Sequence, residues 1–120
     1  MRIKIRPADK LYSQWLRKER KYTCERCHRK YQEGDGLWGL HVSHFYGRAN
    51  NCVRFDPRNT DLLCMGCHQY FTANPNEYVE WKRKRMGEQE FKKLTLEAHR
   101  ICKKDDKAVL LLLKKELEIS

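Results

Sequence analysis

The chain has 120 residues, 40% of them apolar and 35% charged, with 26 Lys and Arg against 16 Asp and Glu and a net charge of +10. That length allows one domain with a small core, so a staple of some kind is expected. The positive balance fits a polyanionic partner, nucleic acid or an anionic membrane surface, while the longest apolar run, residues 108–113, is far too short to cross a bilayer.

Residues 1–22 carry +6, from eight bases and two acids. They hold no continuous apolar stretch of the kind a secretory signal needs, which points to a soluble cytoplasmic protein with reduced thiols. Pro7 and Asp9 suit the first turn of a helix. Proline loses nothing there by lacking an N–H, and the aspartate faces the positive end of the helix dipole. Leu11, Tyr12, Trp15 and Leu16 follow at helical spacing and form one apolar stripe.

Residues 23–76 carry only +1, from six bases and five acids, yet they hold two Cys-x-x-Cys pairs, Cys24 with Cys27 and Cys64 with Cys67. Each pair can form a tight knuckle that offers two thiolates to one ion, and Gly66 would ease the second turn. Four thiolates close a tetrahedron around Zn²⁺ and leave no position open for chemistry. The expected role is therefore a structural zinc that joins segments distant in sequence. The competing reading, two redox or disulfide pairs, fits a reduced compartment less well. Cys52 and Cys102 are left over and read as free thiols, buried or half-buried.

Between the knuckles, "LWGLHVSHF" (residues 37–45) has strand character, with Leu40, Val42 and His44 on one parity and His41 and Ser43 on the other. A polar loop follows, then a short second strand in "NTDLLC", then a helix that starts at the knuckle and runs through "HQYF". The expectation is a two-stranded antiparallel hairpin plus a helix. His44 ends the first strand, Asn59 precedes the second, and His68 sits on the first helical turn. Residues 77–104 carry +4 and read as helix, with Asn76 as cap and Gly87 as stop or turn. Residues 105–120 carry −1 and read as a terminal helix whose apolar stripe could pack at home or form a homodimer contact. The chain thus divides into a basic N-terminal helix (1–22), a zinc-stapled core (23–76) and C-terminal helices packed on it (77–120), one α+β domain overall.

The order His44, Asn59, His68, the stretch "NTDLLCMGCH" and the helix-plus-knuckle "ADKLYSQWLRKERKYTCERC" resemble the HNH endonuclease superfamily with its ββα-metal fold. Within it, the chain is similar to the zinc-ribbon subgroup that includes phage resolvases and phage NinG-like recombination proteins. The resemblance extends over about residues 8–100. It implies a metal-dependent DNA endonuclease, nicking or cutting both strands, in a bacterial or phage-infected cytoplasm. It further implies His44 as general base, His68 as ligand of a catalytic Mn²⁺ or Mg²⁺, and Asn59 as the residue that positions the His44 strand. The chemistry of these side chains agrees. A neutral imidazole can deprotonate water near the working pH, and a divalent ion can offset charge developing on the phosphoryl group.

Many members of that superfamily place an acidic metal ligand directly before the catalytic histidine. Ser43 stands there in this chain, and a hydroxyl is a poor ligand for either ion. His41, two residues back on the same strand face, could take over the role or only support its neighbours; otherwise His68 is the one strong protein ligand. More imidazole ligation favours Mn²⁺. Arg48, Arg54 and Arg58 flank the site and could bind DNA phosphate or be solvated charges. Lys82 and Arg83, in "KRKR", read as a basic helix face that adds non-specific DNA affinity. His28 reads as a surface residue and His99 as an ordinary helix residue. The alternative function is a zinc-ribbon DNA-binding module without catalysis, in phage or bacterial recombination. It needs the cysteines and the charge but not the His44, Asn59, His68 set. A zinc-stapled protein-interaction domain would explain the cysteines alone.

Overall fold

A computed structural model describes residues 5–32 and 39–119. Helix α1 (Pro7–Glu19) begins as its sequence asks. Pro7 takes the first position, and the Asp9 carboxylate turns back to accept the Arg6 N–H at 2.7 Å. Ala8, Asp9, Tyr12 and Leu16 form its buried side. The chain then folds into the first knuckle, closed by the Thr23–Lys30 bridge and by the Cys24 N–H donating to the Arg29 carbonyl at 2.9 Å. His28 takes a φ of 64° in this turn, a conformation that few non-glycine residues adopt.

Strand β1 (Leu40–His44) pairs antiparallel with β2 (Thr60–Cys64), with Leu40 opposite Cys64 and His44 opposite Thr60. Leu37 and Trp38, expected in β1, lie outside the described residues. A 3-10 turn, Pro57–Asn59, feeds β2. Four helices follow: α2 (Met65–Ala73), α3 (Pro75–Met86), α4 (Glu88–Ala98) and α5 (Asp106–Ile119). Helix α3 is flanked by Asn74 rather than Asn76, because Pro75 takes the first helical position. Gly87 ends it with a φ of 85°, which suits a residue without Cβ. Gly66 does not play that part in the second knuckle. It lies inside the first turn of α2, and Gly87 alone among the described glycines has a positive φ.

The hairpin separates two layers, as strand alternation requires. Val42, His44 and Thr60 face α1, where Tyr12 Oη and Thr60 Oγ1 share a hydrogen bond of 2.7 Å. Tyr12 and Leu16 pack there with Leu113 of α5. His41, Ser43, Asp61 and Leu63 face α2 and α3, where Phe71 stacks on Tyr78 with ring centroids 4.6 Å apart. A third cluster, Val53 with Leu94 and Ala98, fastens the β1–β2 loop to α4. Every residue of β2 is buried, so it is the central element of the fold despite the sheet having two strands.

Two basic residues expected at a DNA surface are instead buried in ion pairs. Arg54 is 4% exposed and donates from Nε and Nη2 to the Asp9 carboxylate at 3.0 and 2.6 Å. Lys82 is 3% exposed, its Nζ donating to Asp61 Oδ1 at 2.8 Å. Both charges are taken up inside the protein. Each neutralises a carboxylate that the fold has taken out of water, and deleting one partner of such a pair costs about 3–5 kcal/mol. A second correction concerns Cys52 and Cys102, read as free thiols. They form a disulfide with Cα atoms 5.1 Å apart across a sequence separation of 50. Closing a loop of that length stabilises the fold by about 4 kcal/mol in chain-entropy terms, and the expectation of reduced thiols does not hold for this pair. No helix among the described residues is long and apolar enough to cross a membrane.

Candidate functional site

The four knuckle cysteines converge. Their sulfurs all lie within 4.8 Å of one another, and Cys27 and Cys64 are 3.8 Å apart. A tetrahedron with Zn–S bonds of about 2.3 Å has sulfurs about 3.8 Å apart, so the donor set fits that ion. Backbone N–H groups support it, Cys27 to Cys24 Sγ and Cys67 to Cys64 Sγ, each at 3.5 Å. Arg26 Nη1 donates to Cys67 Sγ at 3.5 Å, bringing a positive charge to the cluster. Burial works against ionisation of Cys24, yet hydrogen bonds from the backbones of Cys27, Cys64 and Arg26 bring its thiol down to about 7. Burial pushes Cys67 up to about 12. Four thiolates this close repel one another, and a divalent cation is what allows them all to ionise.

Sequence reasoning missed the residue that ties this cluster to the sheet. Glu25 is buried inside the first knuckle. Its N–H donates to the Leu62 carbonyl at 2.8 Å, and its carboxylate accepts from Arg20 and forms an ion pair with Arg85 at 3.3 Å. A buried acid between two cysteines looks like any polar knuckle residue until β2 is placed beside it.

The histidines fall into two groups. His41 and His68 meet on the α2 side of the hairpin, Nδ1 to Nδ1 at 3.1 Å. Two imidazole nitrogens that share a cation with bonds of about 2.0–2.1 Å stand about 3 Å apart, so this pair could hold a metal ion. Burial, then the neighbouring His41, lowers the pKa of His68 and keeps it neutral, as a ligand must be. Ser43 takes no part: it is buried, and its Oγ bonds Tyr78 Oη at 3.0 Å. Tyr78 Oη also donates to Asp61 Oδ2 at 2.6 Å, and Asp61 lies directly opposite Ser43 in the register. A carboxylate at position 43 would face that buried carboxylate.

His44 lies three residues further along β1, so alternation puts its ring on the α1 side, away from the His41–His68 pair. Its Nε2 is 3.1 Å from the Arg54 carbonyl oxygen. A carbonyl can only accept, so Nε2 carries the proton and Nδ1 keeps a lone pair. Burial, followed by the charge of Arg48, lowers the pKa of His44 to about 4. Asn59 is fully buried and holds the loop that presents this carbonyl. Its side chain accepts from Tyr46 N–H at 2.8 Å and donates to the carbonyls of Tyr46 and Val53 at 2.8 and 3.1 Å.

Among the remaining cations, Arg58 is exposed and paired with Asp56 at 2.6 Å, and Arg83 is exposed and paired with Glu88 at 3.1 Å. Arg48 is 30% exposed and lies 3.7 Å from Asp9. His28 and His99 are exposed, His99 capping the end of α4 through the Thr95 carbonyl. Comparison of the chain with protein-family models, curated proteins and solved structures finds no match.

Two outcomes follow from this geometry. Metal analysis of the purified protein is expected to find one tightly held Zn²⁺ per chain, and Cys67→Ser to lose both the metal and the cooperative unfolding transition. A well-folded, metal-free Cys67→Ser protein would contradict the staple. The second outcome concerns pH. The folded pKa of His44 lies below the ordinary value of 6.5, so between about pH 6.5 and 4 the unfolded chain takes up a proton that the folded one refuses. Stability from this group is complete above that window and falls as the pH drops through it, by about 3 kcal/mol. Urea titrations across the window should show wild type losing more stability than His44→Gln, which keeps a donor for the carbonyl; parallel losses would place the His44 pKa near its ordinary value.

Proposed function

We propose that this chain is a metal-dependent DNA endonuclease of the HNH, ββα-metal kind, stapled by a structural Zn²⁺ on Cys24, Cys27, Cys64 and Cys67. The observation that carries the reading is His44, placed at the end of β1 with Nε2 donating to the Arg54 carbonyl at 3.1 Å. A ring fixed in this tautomer and held neutral presents Nδ1 as a base. Asn59 acts as a positioning residue: it keeps the loop, and so the carbonyl, against the ring. In hydrolysis a water oxygen bonds to phosphorus and one bridging P–O bond breaks. The proton of that water passes to His44 Nδ1, and the departing oxygen takes a proton from solvent. His68 with His41 would hold a divalent ion, Mn²⁺ in preference to Mg²⁺ given two imidazoles. Such an ion would supply positive charge to a DNA phosphate on its own face of the hairpin. The net charge of +10 supports DNA as the partner.

One observation favours the second reading, a zinc-stapled DNA-binding module without catalysis. His44 and the His41–His68 pair occupy opposite faces of the hairpin, so the base and the ion site of the endonuclease reading do not stand side by side. Incubation with supercoiled plasmid separates the two. The endonuclease reading expects nicked or linear product with Mn²⁺ or Mg²⁺ and none without added metal. His44→Ala should lower the rate by about 10²–10⁴-fold while zinc content and DNA affinity hold. Tight DNA binding by wild type with no conversion under any of these metals would leave the binding module.

A further inference from the structure

On the α1 side of the hairpin, beside His44, the charges do not balance. Among the described residues Asp9 is the carboxylate there, and it is already saturated. Arg54 donates to it twice, at 3.0 and 2.6 Å, and the Arg6 N–H donates at 2.7 Å. Burial alone would raise the Asp9 pKa; the hydrogen bond from Arg54 and the others outweigh it and hold the group ionised. The Arg6 guanidinium is turned elsewhere, to Asp106 at 3.1 Å and Asn51 at 3.3 Å. Arg48 is the cation left over. It stands 3.7 Å from Asp9 Oδ1, too far for a hydrogen bond, and its Nε is buried with no acceptor among the described residues. Among the described residues, Arg48 and Arg54 thus face one carboxylate and a neutral imidazole, and it is Arg48 whose Nε is left without an acceptor.

A guanidinium N–H shut away from water without an acceptor is unfavourable until an acceptor arrives. Arg48 is still open enough, at 30% exposure, to receive one from solvent. It meets the same Asp9 carboxylate that Arg54 grips, and the Arg54 carbonyl holds the His44 ring at 3.1 Å, so an anion on Arg48 lies on the His44 side of the hairpin. The ligand such a site takes is an anion with paired oxygens, which a planar guanidinium fork can grip at two points.

Resting on the endonuclease reading, we infer that Arg48 holds a phosphate of the nucleic-acid strand beside His44, so that the phosphodiester sits on the α1 side of the hairpin. A guanidinium fixed there offsets the charge that grows on the phosphoryl oxygens as water attacks, without having to move. It also stands on the same face as the proposed base, which the His41–His68 pair does not.

The test uses the full, zinc-loaded chain and a short DNA duplex without added divalent ion. The ring signals of His44, assigned by their loss in His44→Gln, should move on addition of the duplex. In Arg48→Gln that movement should vanish. DNA affinity should fall about 3–10-fold, and the slope of log affinity against log salt should drop by about one. With metal added, single-turnover cleavage should fall about 100-fold or more. Arg48→Lys should keep affinity and salt slope but recover only part of the rate, because an ammonium is a point charge rather than a fork. If Arg48→Gln cleaves at the wild-type rate, or if its His44 signals still move with DNA, the inference is overturned. If wild type cleaves nothing, the endonuclease reading fails on its own, and the dependence of the His44 signals on Arg48 still decides whether this is a phosphate site.

Discussion

The buried amide of Asn59 is the interaction on which the candidate site depends. It lies at 0% exposure and satisfies three backbone groups of the β1–β2 connection, one donor and two acceptors. Each of those groups would otherwise be an unpaired polar atom in the core, at about 1–3 kcal/mol apiece. By tying Tyr46 to Val53 the amide bends the loop back over the end of β1. The next residue, Arg54, then presents its carbonyl to His44 and its guanidinium to Asp9 of α1. One side chain thus sets the position of the proposed base, the buried ion pair and the open guanidinium of Arg48. An aspartate would lose both donations and a leucine all three bonds, so an amide is the side chain that this junction requires.

The two faces of the hairpin use buried charge differently. On the α2 and α3 side, Asp61, Tyr78, Lys82 and Ser43 form a closed set with every partner inside the protein. That set explains why position 43 is not acidic. The place across the register is already taken by Asp61, and a second carboxylate would meet a like charge out of water. On the α1 side the set is left open, among the described residues, at Arg48 Nε. A closed network specifies a fold; an open one, at the edge of solvent and next to His44, is where a ligand can complete it.

Much of this was legible in the sequence. The knuckle spacing announces the cysteine cluster, because two Cys-x-x-Cys turns have few other uses. The alternation in "LHVSH" and the start of a helix at the second knuckle announce the hairpin and α2. The ion pairs were not legible in the same way. Arg54 and Arg58 sit four residues apart in "VRFDPRN", yet one is buried and the other exposed, because the partner that buries Arg54 is 45 residues away. Lys82 left a trace that could have been followed. Tyr78, Trp81 and Lys82 recur at helical spacing, so one cation of "KRKR" had to lie on the inner face of α3. Nothing local joins Cys52 to Cys102; their approach is a product of the packing of Val53 on Leu94 and Ala98.

The central claim is that His44 is a neutral imidazole with its proton on Nε2 and its lone pair on Nδ1. Nitrogen-15 NMR of the histidine side chains, recorded at pH 7 on the zinc-loaded chain, reads this directly. The account predicts a protonated Nε2 and a bare Nδ1 for His44, unchanged down to about pH 5 because the pKa lies at about 4. A proton on Nδ1, or an imidazolium at pH 7, would contradict it, since neither form leaves a lone pair on Nδ1.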